Sequence, residues 1–138
     1  MTPAELRRLR DDLARGYDAV IRERFGKLTE RQKRLLEEIR QAVHLTSDAI
    51  DAYAAVAENP RSRWLSDPRY RLMYAARTPL EMVLLGIYLV NVYHAREIEA
   101  LNQDQHEAVA LMERSARRMV IEIERLWGEM QAERLVKP

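Results

Sequence analysis

Three histidines, His44, His94 and His106, are the side chains of this 138-residue chain best suited to nucleophilic or proton-transfer chemistry near neutral pH. The chain has no cysteine, which excludes a thiol nucleophile, a thiolate metal site and a disulfide framework. A di-metal carboxylate site on helices would need Glu-x-x-His pairs facing inward. The residues three positions before the histidines are Gln41, Asn91 and Gln103, so no metal site and no other cofactor is expected. His44 follows an apolar position, Val43, and is expected at the rim of a core. His94 is expected on an apolar helix side and His106 in an exposed first turn. All three therefore read as structural or surface residues.

A second chemical feature is the run from 61 to 77. It holds Arg61, Arg63, Arg69, Arg71 and Arg77 against the single acid Asp67, with Trp64, Tyr70 and Tyr74 interleaved. Arginine and large aromatics dominate the energetics of protein interfaces, and the same types stack on nucleic acid. The plain alternative is a solvated loop with Trp64 covering one end of the fold. A formal net charge of +1, from 23 basic and 22 acidic residues, supplies no long-range pull toward polyanions. A protein partner is favoured over nucleic acid. Its candidate contacts are Arg61, Arg63, Trp64, Arg69, Tyr70, Arg71 and Tyr74.

The elements that must carry these residues are helices. Four glycines and five prolines leave few breaks, 47% of the residues are hydrophobic, and 33% are charged. Thr2, Pro3 and Glu5 open a first helix, running to about Phe25 before Gly26. Thr29 and Gln32 open a second, reaching about Glu58. Asp67 and Pro68 open a third, reaching about Ala100, and Asn102 with Gln105 opens a fourth, reaching about Val136. The longest apolar run, "MVLLGIYLV", has nine residues against the roughly 20 of a span. The charged N-terminus lacks the apolar segment of a signal peptide. A soluble, cytoplasmic protein without membrane contact is expected.

Apolar spacing turns the four helices into an architecture. Val109, Met112, Ala116, Met119, Ile123, Leu126 and Met130 repeat at intervals of three and four. Leu36, Ile39, Val43, Thr46, Ile50, Tyr53 and Ala57 repeat in the same phase, offset by 73 residues. Leu28 and Gln32 stand in the same relation to Leu101 and Gln105. The spacing predicts an all-α, antiparallel four-helix bundle of two helical hairpins, about 3–58 and 68–136, joined by a loop at 59–67. The shared phase reads as an internal duplication of a hairpin. "TPAEL" at 2–6 also echoes "TPLEM" at 78–82, but at an offset of 76.

Residues 70–136 carry a further pattern. "ARTPLEMVLLGIYLV" precedes "LNQDQHEAVALMERSARRMVIEIERLWGEMQAERL". Arg77, Thr78, Pro79, Leu80 and Gly86, then Leu101, Gln105, Met112, Ser115 and Leu126, resemble the dimerisation and phosphoacceptor hairpin of sensor histidine kinases. In that family a phosphoacceptor His stands three residues before the Arg of "RTPL", with an acid next to it. Here those positions are Tyr74 and Ala75. A phenol does not replace the neutral imidazole nucleophile. Nor does a nucleotide-binding Gly-rich loop follow in the sequence. In the family the Pro, here Pro79, bends the first helix beside the phosphoacceptor, and relatives dock receiver domains at that level.

The resemblance implies a non-enzymatic module of two-component type that binds a response-regulator receiver or a histidine kinase. Two other readings stand beside it. One is a histidine phosphotransferase using a displaced His44 or His94. The other is a structural dimerisation bundle, forming a homodimer.

Overall fold

The computed structural model describes residues 2–21, 28–59, 67–96 and 101–136. Four helices follow in chain order: α1 (Pro3–Ile21), α2 (Glu30–Ala57), α3 (Pro68–Ala95) and α4 (Gln103–Val136). They form an antiparallel four-helix bundle of two hairpins, as their periodicity predicts. Each helix packs on its neighbours round a ring, α1 closing on α4, and the broader interfaces are α2 with α3 and α1 with α4.

The helices start where their caps allow. The Thr2 hydroxyl accepts from the Glu5 N–H at 3.2 Å, and the Glu5 carboxylate accepts from the Thr2 N–H at 2.7 Å. Thr29 and Gln32 exchange the same two bonds at 3.1 and 2.8 Å, and Asn102 and Gln105 at 2.9 and 3.1 Å. Each box satisfies two N–H groups that a helix N-terminus leaves without partners. At α3 the Asp67 carboxylate accepts from the Arg69 N–H at 2.9 Å, with Pro68 in the first turn.

The interior follows the heptad seams. Every seam position of α4 from Val109 to Met130 is buried, and so are Leu36, Ile39, Val43, Thr46, Ile50 and Tyr53 of α2. Ala57 is exposed. It is the last residue of α2. Thr46 tolerates burial because its hydroxyl donates to the Ala42 carbonyl at 2.8 Å. The first helix ends at Ile21 among the described residues. The expected stop at Gly26 lies outside them, as does the stretch from Glu97 to Ala100 assigned to the third helix.

The offset of 73 has a three-dimensional counterpart. Gln32, Leu36, Ile39, Ala42, Val43, Thr46, Ala49, Ile50 and Tyr53 are buried, and so is each residue 73 positions later. For α1 and α3 the matching offset is 70: Leu6 and Ala76, Leu13 and Val83, Gly16 and Gly86, Tyr17 and Ile87, and Val20 and Val90 are all buried. The "TPAEL" and "TPLEM" echo at 76 is therefore off the structural register. Thr2 caps a helix start, whereas Thr78 and buried Pro79 lie mid-helix in α3.

Hydropathy needs one correction. α3 as a whole, 28 residues, reaches a mean hydropathy of 1.2 over an 18-residue window with at most two charges, which meets the length and composition of a membrane span. Counting only an uninterrupted run of nine missed this, because Arg77 and Glu81 interrupt the run without making the helix polar. A third of that window is buried within the bundle.

Candidate functional site

The sequence candidates separate into three groups. Arg61, Arg63 and Trp64 lie outside the described residues. Arg69 lies in the structure but is committed elsewhere. Its guanidinium donates to Asp67 at 2.8 and 3.1 Å and to Glu133 of α4 at 3.0 and 2.6 Å. The paired carboxylates of Glu133 and Asp67 push its already high pKa further up. The Arg69 guanidinium in turn holds the Asp67 carboxyl below its usual range. Arg69 is thus a clamp joining the start of α3 to the end of α4, not a free contact for a partner. The sequence could not show this, because Glu133 is 64 residues away.

The third group converges. Tyr70 and Tyr74, one turn apart on α3, pack with ring centroids 4.7 Å apart and planes tilted by 40°. Trp127 of α4 joins them, 5.7 Å from Tyr70 and 6.1 Å from Tyr74, edge-on to the latter. These spacings match favourable aromatic pairing. The Tyr70 phenol is hydrogen-bonded to Tyr74, which raises its pKa. Tyr74, the residue standing at the phosphoacceptor-equivalent position, is 65% exposed. Below the rings lies an open cleft of about 270 Å³ lined by Met73, Tyr74, Arg77, Thr78 and Trp127. Arg77 pairs with Glu81 one turn on, Nε to Oε1 3.2 Å. Arg77, Thr78 and Tyr74 share the outer side of α3, while Pro79 and Leu80 face the core.

Trp127 was not among the sequence candidates. It follows seam residue Leu126, and its position one step off an inward phase puts a large ring at the α3–α4 edge. That step was the available signal. Arg71 is exposed and lines a separate shallow groove with Ala49, Tyr53, Pro68 and Ala75 between α2 and α3. It stands apart from the aromatic cluster's cleft.

Two of the three histidines, His44 and His106, are placed differently from their expected settings. His44 is not at the core rim: its side chain is 70% exposed, and Nε2 lies 3.4 Å from the Asp48 carboxylate. His94 is half-buried, and its Nδ1 accepts the Leu101 N–H at 2.8 Å, which places its proton on Nε2. That bond ties the end of α3 to the residue before α4. His106 is not an exposed first-turn residue. It is half-buried and stacks on His94 with centroids 4.5 Å apart. Its buried Nδ1 has no hydrogen-bond partner among the described residues. The fold brings these two together because they belong to facing ends of one hairpin.

Glu122 was also missed. Its side chain is 3% exposed, and its carboxylate pairs with Arg118 at 2.9 Å and Arg125 at 3.0 Å on the same helix. Two guanidiniums one turn to either side satisfy a carboxylate that burial would otherwise penalise. Among the described residues no group of three or more His, Asp or Glu side chains converges to hold a metal ion. Comparison of the chain with protein-family models, with curated proteins and with solved structures gave no match.

Proposed function

We propose that the protein is a non-catalytic docking module of two-component type, binding a receiver domain or a histidine kinase through the Tyr70–Tyr74–Trp127 cluster and its cleft. The observation that carries the reading is the cluster itself. Three aromatic rings stand at the surface beside Arg77, over a concavity, on the helix that bears the "RTPL" sequence. Rigid aromatics with an adjacent Arg make effective anchors because they bury much area and lose little rotamer freedom. The partner class comes from the resemblance of residues 70–136 to a phosphoacceptor hairpin, with Tyr74 in place of the nucleophile.

The test is titration of the protein against purified receiver domains and kinase cytoplasmic regions from the same genome. Binding to at least one, lost in Tyr74→Ala and in Trp127→Ala but kept in Arg8→Ala on α1, is the expected result. Absence of binding across the set, or binding indifferent to both substitutions, overturns the reading.

One observation favours a second reading. His44 presents an accessible imidazole beside the Asp48 carboxylate, which can hold an Nε2 proton and leave Nδ1 as the nucleophile. Attack on a receiver's aspartyl phosphate would form an N–P bond as the P–O bond to the carboxylate breaks. His94 is the weaker candidate, since its Nδ1 is already occupied. This reading requires an acid-labile, alkali-stable phosphoryl group that disappears in His44→Gln.

A further inference from the structure

The outer face of α3 is apolar at Met82, Leu85 and Tyr88, where α1 carries Asp12, Arg15 and Asp18. The C-terminal end of the same helix carries titratable chemistry. His94 sits in the last turn of α3 and His106 in the first turn of α4, with ring centroids 4.5 Å apart and planes 24° from parallel. His94 Nδ1 accepts the Leu101 N–H at 2.8 Å. Leu101 is itself buried and belongs to the core cluster. The bond therefore helps to hold a core residue in place just before α4.

We infer that the stacked pair is an acid-sensitive latch on this end of the second hairpin. Neutral, His94 ties Leu101 to α3; protonated, it lets go. Imidazole is the side chain whose charge changes between about pH 5 and 8. An imidazolium carries an N–H at both ring nitrogens and accepts nothing. A proton on His94 thus sets two donors, Nδ1–H and the Leu101 N–H, against each other. It also leaves a part-buried backbone group without its partner.

The surroundings offer no counter-ion. Among the described residues, the charged groups at this end are Arg96 on α3, Asp104 and Glu107 on α4, Glu30, Arg31, Lys33 and Arg34 on α2, and Asp18, next to Tyr17, on α1. Glu30 pairs with Lys33, and Glu107 accepts from Gln103. Arg31 lies 4.9 Å from the centre of the Tyr93 ring, and Glu113, further along α4, pairs with Arg117. Neither His94 nor His106 makes an ion pair with a described residue. Asn91 Oδ1, buried and unpartnered one turn before His94, is a neutral amide. Two imidazolium rings stacked at this separation repel, so the pair does not hold two charges. The helix ends select the ring that takes the proton. The C-terminus of α3 attracts a cation at His94, and the N-terminus of α4 repels one at His106. The charge falls on the ring that holds Leu101. The Tyr70–Tyr74–Trp127 cluster lies at the opposite end of α3, so the latch does not rest on the docking reading.

The test is nuclear magnetic resonance of the full chain from about pH 8 down to about pH 5. At the alkaline limit the His94 ring should be the Nε2–H tautomer. On acidification the Leu101 amide should exchange roughly tenfold faster than its intrinsic rate accounts for, in step with protonation of His94. His94→Asn keeps an acceptor close to the Nδ1 position and cannot titrate, so its Leu101 amide should hold constant protection. Constant protection of Leu101 in wild type overturns the inference. So does an Nδ1–H tautomer of His94 at the alkaline limit, or a pH response that is unchanged in His94→Asn. If His94→Asn does not fold, wild type alone decides. There the loss of protection must share its midpoint with the His94 ring signals, and a midpoint set by any other group overturns the latch.

Discussion

Gly16 of α1 and Gly86 of α3 occupy equivalent levels of the two hairpins, and at each a neighbouring helix fills the space that a Cβ would need. A Cβ on Gly86 would lie 2.5 Å from Cγ1 and 2.9 Å from Cδ1 of Ile39 on α2. A Cβ on Gly16 would lie 2.7 Å from Cγ of Met112 and 3.0 Å from the Ala108 carbonyl oxygen on α4. Ile39 and Met112 are themselves related by the offset of 73. The same joint thus recurs, but one version is closed by a stiff β-branched side chain and the other by a flexible side chain plus backbone. Inner positions of the two halves are held alike by packing, because no void or overlap is tolerated there. Outer positions obey no such constraint, and there α1 and α3 diverge from charged to apolar.

This comparison can be broken at four levels. The largest effect is expected from the knobs: Ile39→Ala and Met112→Ala should each cost about 2–5 kcal/mol in urea denaturation. Similar losses support equivalent joints, and a near-neutral result at either position would end the equivalence. Next come the glycines. Overpacking makes Gly16→Ala and Gly86→Ala destabilising by about 1–3 kcal/mol despite the better helix propensity of Ala. Gly16→Ala should be the worse, since the Ala108 carbonyl cannot swing aside. The cost of Gly86→Ala should shrink in an Ile39→Ala background, a coupling that a double-mutant cycle reads directly.

The third level is the helix start. Asp67→Ala removes the cap of α3 and one carboxylate of the Arg69 clamp, at a cost of about 1 kcal/mol. The folded Asp67 carboxyl titrates below its ordinary value of 3.8, chiefly through its bond from Arg69. Its contribution is therefore complete above that value and is lost as pH falls through the lower folded one. Denaturation curves of wild type and Asp67→Asn should converge across that acid range. Curves that stay parallel would show the clamp to be without energetic weight. The smallest effect is expected at the outer face. Leu85→Arg, which copies Arg15 of α1 in spirit, should change monomer stability by less than about 0.5 kcal/mol. A larger loss would mean that Leu85 contributes to its own bundle.

Much of the scaffold was legible in the chain. Capping boxes at Thr2, Thr29 and Asn102 and the Asp-Pro start at 67–68 are local, because the groups they pair are three residues apart or fewer. The seams of α2 and α4 are local too, since periodicity and burial are two descriptions of one helix face. What could not be read were pairings between distant positions. Arg69 looked like a free cation until Glu133 came beside it. Trp127 looked like an ordinary flank until Tyr70 and Tyr74 reached it. His94 and His106 looked unrelated until the hairpin stacked them.

The sequence alone determined the four helices, the inward faces of α2 and α4 and the phase those two share, because hydrogen bonds of a helix and its side-chain period depend on residues within a turn or two. Only the tertiary structure decided which charges are consumed, which aromatics meet and which apolar face remains uncovered. Those outcomes depend on how side chains from different helices fill common space, and no spacing along one helix specifies its neighbour's opposite residue.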